Sequence, residues 1–329
     1  MTSARGPRIG IDVGGTKCLA VAIDDENSVI ADLRLSTPRG EGSVDALLST
    51  VISAIGEIQQ SVGESASIGV GVPGLVTHGG VLRAAPNLDG VVDVDIATRI
   101  SAGVGAPVVI ENDATCGALA EWQIGAAQGS TDVAFVSLGT GIGGGLIVNG
   151  EMYHGRHGYA AEFGHIIVDP TGPECPCGQR GCWERYASGS GLAALAQQSA
   201  REGRLRLLVD RAGGHPSQVR SEHVLAVEQG GDEDTDRLIN EFSRWVALGL
   251  VNLAHAVDPE VFVIGGGVGS SLGARLDAVR SSFAEIVYKP KQRELPEIVS
   301  AELGEYASAI GAAMLPGMRG DFTSALERR

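Results

Sequence analysis

The segment from Ala160 to Ser188, AAEFGHIIVDPTGPECPCGQRGCWERYAS, brings one imidazole and three thiols together, His165, Cys175, Cys177 and Cys182, with Glu162 and Glu184 a few positions from them. Three thiolates and an imidazole make a Cys₃His set, the donor composition of tetrahedral structural zinc. Pro176, Gly178 and Gly181 supply the tight turns that let so short a loop wrap an ion. A disulfide or a chance group of buried cysteines competes with this reading, but close Cys spacing beside a His in an intracellular chain points to metal. An ordered loop of this kind would fix the two carboxylates beside it.

Glycine-rich turns form a second chemical group. Asp12-Val13-Gly14-Gly15-Thr16-Lys17 lies between two β-rich runs, so it reads as a hairpin whose tip can approach a phosphate through backbone N–H groups, with a hydroxyl and an ammonium added. It lacks the spacing and following helix of a P-loop. An ordinary hairpin turn is the plainer reading; Asp12 favours the phosphate site, since an acid there can hold a hydrated Mg²⁺. Residues 132–149, DVAFVSLGTGIGGGLIVN, repeat strand, turn and strand around Gly139-Thr140-Gly141, which suggests an internal duplication. Gly265-Gly266-Gly267 follows the strand VFVI and precedes a helix, an arrangement that suits a nucleotide or close packing. The apolar strand APVVIENDA delivers Glu111, Asn112 and Asp113 to the start of a helix at 114–122. Asp113 there is equally a helix N-cap or a catalytic base.

The elements that must position these groups follow from hydrophobic spacing. A helix is expected over 44–61, a strand over 67–72, a short helix near 95–101, a buried helix through VALGLVNLAHAV, and an alanine-rich final helix over 305–315 that packs on the first half. Arg201 to Asp236 reads as solvated helices and loops. A length of 329 residues with 43% hydrophobic and 20% charged residues gives a globular chain of two domains or one large α/β domain. A net charge of −15 disfavours nucleic acid and anionic membranes as partners. No apolar run reaches membrane-spanning length, and MTSARGP lacks the features of a signal peptide, so a cytoplasmic location is expected. Cys18 and Cys116 read as small buried hydrophobes.

Taken together, DVGGTK at 12–17, GVPG at 71–74, ENDA at 111–114, LGTGIGGG at 138–145, AEFGH at 161–165, CPCGQRGCWE at 175–184 and IGGG at 264–267 resemble the ROK family of sugar kinases and sugar-responsive repressors. Within that family they look most like the zinc-containing, ATP-dependent bacterial glucokinases. The resemblance implies an α/β, two-domain hexokinase/actin-like (ribonuclease H-like) fold with sugar and ATP in an inter-domain cleft. The division is expected as residues 1–112 with 311–329, and residues 113–310 carrying the zinc loop. By resemblance, Asp113 is the base that takes the proton from the sugar 6-hydroxyl. Asn87, Asn112, Asp113, Glu162, His165 and Glu184 are sugar-binding, with His165 shared between zinc and sugar. Asp12, Gly14, Gly15, Thr16, Lys17, Gly139, Thr140 and Gly141 serve the phosphates and Gly265, Gly266 and Gly267 the adenosine side. ATP with Mg²⁺ and a hexose are the implied substrates, and a homodimer or homotetramer the implied assembly. Asp89-Gly90-Val91 departs from relatives that carry a tryptophan after the glycine, at the edge of the sugar pocket.

Two classes of function fit the family. A hexose kinase, for glucose or an N-acetylhexosamine, uses every motif above. A sugar-sensing regulator would carry a DNA-binding module before the first strand, and with that strand expected from about Arg8 the sequence favours the kinase.

Overall fold

The computed structural model describes residues 6–38, 40, 43–85 and 91–326. The chain forms two compact units. The first comprises residues 1–129, 152–161 and 305–329, and the second 130–151 and 162–304.

In the first unit β1 (Arg8–Val13), β2 (Lys17–Ile23), β3 (Val29–Ser36), β4 (Ser67–Val72) and β8 (Val108–Asn112) build a sheet in the order β3-β2-β1-β4-β8. The first three strands are antiparallel neighbours; β4 and β8 add in parallel. A small second sheet runs β5 (Leu75–Val76), β6 (Val81–Ala84) and β7 (Val92–Asp95). The near-continuous apolar strands β1 and β2 are buried on both faces, as parallel and central strands require. The second unit repeats the device. Strands β9 (Val133–Leu138), β10 (Ile142–Val148), β11 (Glu151–Met152), β12 (Val261–Gly265) and β13 (Glu297–Ser300) lie in the order β11-β10-β9-β12-β13, with β9 and β10 antiparallel and β9, β12 and β13 parallel. Two sheets each opening on an antiparallel hairpin and continuing in parallel are what a duplication of the glycine-turn hairpin would leave.

The C-terminal helix, Ala307–Leu326, lies on β1, β4 and the helix Asp113–Ile124. It can do so because Gly10 and Gly69 face each other across β1 and β4. A Cβ at Gly10 would overlap the Ala309 carbonyl, and one at Gly69 the Ala312 carbonyl. Gly311 of the same helix meets the Cys116 carbonyl in the same way. The sequence reading ended this helix at Leu315, before Pro316, yet it continues. Pro316 has no N–H to offer the carbonyl four residues back, and that carbonyl, of Ala312, is the one seated against Gly69.

This contact also corrects the expected boundary. The helix from Asp113 belongs with the first unit, because its Cys116 packs on Gly311, so the chain passes to the second unit after residue 129 and not after 112. Segment 152–161 returns to the first unit, and the last passage falls at 304/305 instead of 310/311. The buried helix expected around Val246 is the second half of Glu233–Val257, where Gly249 makes room for the indole of Trp183. Cys18 and Cys116 are free and buried. No helix among the described residues is long and apolar enough to cross a membrane.

Candidate active site and metal centre

The helix terminus beside Asp113 is held by its neighbour. Asn112 is the N-cap of helix 113–124: its Oδ1 accepts the Thr115 N–H at 3.0 Å, and its Nδ2 donates to the Gly74 carbonyl at 3.2 Å. Asp113 is therefore the first helical residue, and its Oδ1 accepts the adjacent Ala114 N–H at 2.8 Å. Burial raises its pKa, against the pull of the Ala114 N–H and its own. Asp12, at the end of β1, shares this environment. Burial first and the Asp113 carboxylate second push Asp12 up to about 8, partly offset by Lys17. Two half-buried carboxyl groups whose charges repel each other cost the fold stability, and such groups gather at functional sites.

The hairpin turn after Asp12 forms as expected, with the Gly14 N–H bonded to the Lys17 carbonyl at 2.9 Å. Thr37 ties its carbonyls back: Thr37 Oγ1 donates to Gly14 O at 2.7 Å and Thr37 N to Thr16 O at 3.1 Å. Lys17 does not point its charge at open space; Nζ lies 2.6 Å from Glu305 Oε2, and Arg34 forks onto the same carboxylate. Hydrogen bonds from Arg34 and Lys17 lower Glu305 to about 2. The second turn is built alike. Gly139 N–H bonds to Gly141 O at 3.0 Å, Gly189 N–H to Gly139 O at 2.8 Å, and Ser190 Oγ to Thr140 O at 2.6 Å.

The third glycine cluster divides. Gly265 needs its missing side chain because a Cβ would sit 2.8 Å from the Phe135 ring, and Gly266, at φ +77°, because one would sit 2.5 Å from Leu138 O. Both approach β9 too closely for a side chain. Gly267 has no atom near its Cβ position and alone keeps the open face that a ligand requires.

In the second unit the cysteine loop folds as a cage. Cys175 N–H bonds to Gln179 O at 2.8 Å and Gly178 N–H to Cys175 O at 2.9 Å; Gly178 and Gly181 take φ of +91° and +67°, where L side chains are strained. Trp183, fully buried, anchors the loop by donating Nε1–H to the Trp245 carbonyl at 2.7 Å. The ligand atoms of His165, Cys175, Cys177 and Cys182 then lie within 4.8 Å of one another. Cys177 and Cys182 sulfurs are 3.6 Å apart, and Cys175 Sγ is 4.0 Å from His165 Nδ1. A tetrahedron with Zn–S bonds of about 2.3 Å has edges of about 3.8 Å, so the set fits such an ion. Against the upward push of burial, the Gln179 N–H and bonds from the neighbouring thiols bring Cys177 down to about 7, which favours the thiolate a metal needs.

Glu184 joins this cage to the glycine turn. Its Oε1 accepts from Cys175 Sγ at 3.0 Å and lies 3.9 Å from His165 Nδ1, while Oε2 would be 2.6 Å from a Cβ on Gly141. Glu162 directly precedes the short 3₁₀ turn Phe163–His165. Asp12, Asn112 and Asp113 are thus gathered in the first unit, and Glu184, His165, Gly141 and the three cysteines in the second. Asn87, with Asp89 and Gly90, lies outside the described residues. The sequence reading missed the partner of Glu111, which is His154, with Nε2 2.9 Å from Glu111 Oε2. Its only sequence signal was a histidine in a glycine-punctuated run, HGRHG.

A model of the ROK family matches residues 8–317. The glucokinase of Streptomyces coelicolor is 36% identical over 316 residues, 94% of this chain and 97% of the relative. A xylose repressor of Bacillus spizizenii is 30% identical over 94% of this chain and 77% of its own length. The crystal structure of a ROK family glucokinase from Streptomyces griseus in complex with glucose and AMPPNP superposes with a TM-score of 0.86 at 34% identity, covering 94% of this chain and 99% of that one. The fold is accordingly the two-domain, actin-like fold that the motifs implied.

Proposed function

As the chain belongs to the ROK family, we propose that it catalyses ATP-dependent phosphorylation of D-glucose at the 6-hydroxyl, giving glucose 6-phosphate and ADP, with Asp113 as general base. The observation that carries this reading is the release of Asp113 from capping: Asn112 holds the helix terminus, and a half-buried carboxyl of raised pKa is left to accept a proton. In the proposed step Asp113 accepts the proton of the 6-hydroxyl as the oxygen attacks the γ-phosphorus of magnesium ATP in line. The bond from that phosphorus to the β,γ-bridging oxygen breaks, and ADP leaves. Phosphoryl transfer asks the protein mainly for positioning and charge stabilisation. Gly14 to Thr16 and Gly139 to Gly141 present backbone to the phosphates, and Gly267 gives access on the adenosine side. Lys17 would first have to leave Glu305. Asn112, Glu162, His165 and Glu184 bind the sugar hydroxyls.

Within the same reading the Cys₃His set holds zinc, which when bound fixes the His165 ring and leaves its other nitrogen for the sugar. Glu184 depends on Gly141 as well as on the cage. Gly141→Ala should displace the carboxylate and raise the KM for glucose by about 10- to 100-fold, the worth of a hydrogen bond to a charged group. Steady-state kinetics against both substrates check it, with the KM for ATP rising less.

The experiment that tests the function is a coupled assay of ADP release from magnesium ATP with glucose, mannose, fructose, N-acetylglucosamine and N-acetylmannosamine. Preference for glucose is the expected result. Preference for an acetamido sugar would keep the mechanism and move the substrate. Silence with every sugar, in a folded protein, would overturn the kinase reading in favour of the regulator class that the repressor relative represents.

A further inference from the structure

Glu111 and His154 have no part in the roles above, yet they join two pieces of chain on which those roles depend. Glu111 directly precedes Asn112 and Asp113. Its Oε1 accepts the Asn112 backbone N–H at 2.8 Å, and its Oε2 meets His154 Nε2 at 2.9 Å. Both side chains are largely buried, 15% and 11% exposed. His154 opens a loop that closes on itself, its carbonyl accepting the Ala160 N–H at 3.1 Å.

That loop is seated on the first unit. His78 Nε2 reaches the carbonyls of Gly155 and Arg156 at 3.2 and 3.3 Å, its ring stands edge-on to His154 at 5.9 Å, and Gly158 is pressed against the Val76 carbonyl. The loop ends at Ala161, whose φ is +68°, and the next residue is Glu162. A left-handed alanine costs on the order of 1 kcal/mol and persists only where its surroundings impose it. The strain therefore sits between a seated loop and a proposed sugar ligand. A largely buried polar pair adds little net stability compared with apolar packing, and its best-attested use is to fix geometry.

We propose that Glu111 and His154 are a positioning pair for the sugar site. One carboxylate holds the backbone that presents Asn112 and Asp113 and, through His154, the loop that hands over to Glu162. This rests on the kinase reading and adds to it two residues that touch neither substrate.

The test compares wild type, His154→Ala, His154→Gln and Glu111→Gln in steady-state kinetics, with melting temperatures alongside. His154→Ala should lose about 10²-fold in kcat/KM for the sugar, the size of a roughly 1 Å misplacement, with the KM for ATP unmoved. His154→Gln, whose amide can donate from near the position of Nε2, should recover most of the loss. The double variant His154→Ala/Glu111→Gln should be no worse than the worse single change. Unchanged sugar kinetics in His154→Ala would overturn the proposal, as would a loss that falls equally on sugar and ATP and is not recovered by Gln. Should His154→Ala fail to fold, Glu111→Gln decides, since it keeps an acceptor for the Asn112 N–H; a sugar KM equal to that of wild type would sink the pair. A wild type silent with every sugar overturns the kinase reading and this role with it, a result distinct from an active wild type indifferent to His154.

Discussion

Asp113→Asn should lower kcat by about 10²–10⁴ while the protein still binds glucose and is no less stable. The amide has the size of the carboxylate but cannot take a proton. Its effect on stability follows from Asp12, whose pKa of about 8 owes part of its rise to the Asp113 charge. A carboxyl raised from 3.8 to about 8 keeps its proton in the fold while the unfolded chain loses it, so the penalty for burying it is absent below the lower value. It grows as pH rises through the interval and is complete above the upper one. Removing the Asp113 charge lowers Asp12 and shrinks that penalty. The variant should therefore gain melting temperature over wild type, slightly near pH 5 and more near pH 8. Calorimetric sugar titration, turnover, and thermal unfolding at the two pH values check the three parts. Turnover near that of wild type would remove Asp113 from the role of base.

Cys177→Ala should leave the purified protein with well under one zinc per chain and lower the melting temperature by about 10 °C, the scale of a few kcal/mol in a unit of this length. Cys177 is the informative position because it is exposed, whereas Cys175 and Cys182 are buried. Truncating Cys177 opens no cavity, so lost stability reports the ion and not the packing. A chelator should do to wild type what the substitution does, and little more to the variant. Equal metal content in the two proteins would exclude Cys177 as a ligand.

The parts of the site legible in the sequence were those whose chemistry is local. The Cys₃His cage depends on close spacing and on two glycines at positive φ, and Gly178 and Gly181 take up those angles. Both glycine hairpins likewise close through a hydrogen bond within the turn itself. Asp113 stayed ambiguous because cap and base use the same residue type at the same helix end; the bond from the Thr115 N–H to Asn112 Oδ1, which gives the cap to Asn112, is visible only in the fold. What depended on distant chain was not legible. The Lys17 to Glu305 pair, the Glu111 to His154 pair and the boundary after residue 129 all arise from segments far apart in sequence. Gly265 and Gly266 suit nucleotide and packing alike in sequence, and their closeness to Phe135 and Leu138 comes from a distant strand.

The helix Ala307–Leu326 on its floor of Gly10 and Gly69 has a consequence for synthesis. A ribosome delivers β1 and β4 long before the helix that covers them, and every residue of the second unit emerges in between. The second unit can therefore finish folding on the nascent chain while the first still shows the bare glycine strip and its apolar neighbours. The unit that begins the chain is the last to close, and until it does its open sheet is the surface on which a chaperone or another nascent copy would act.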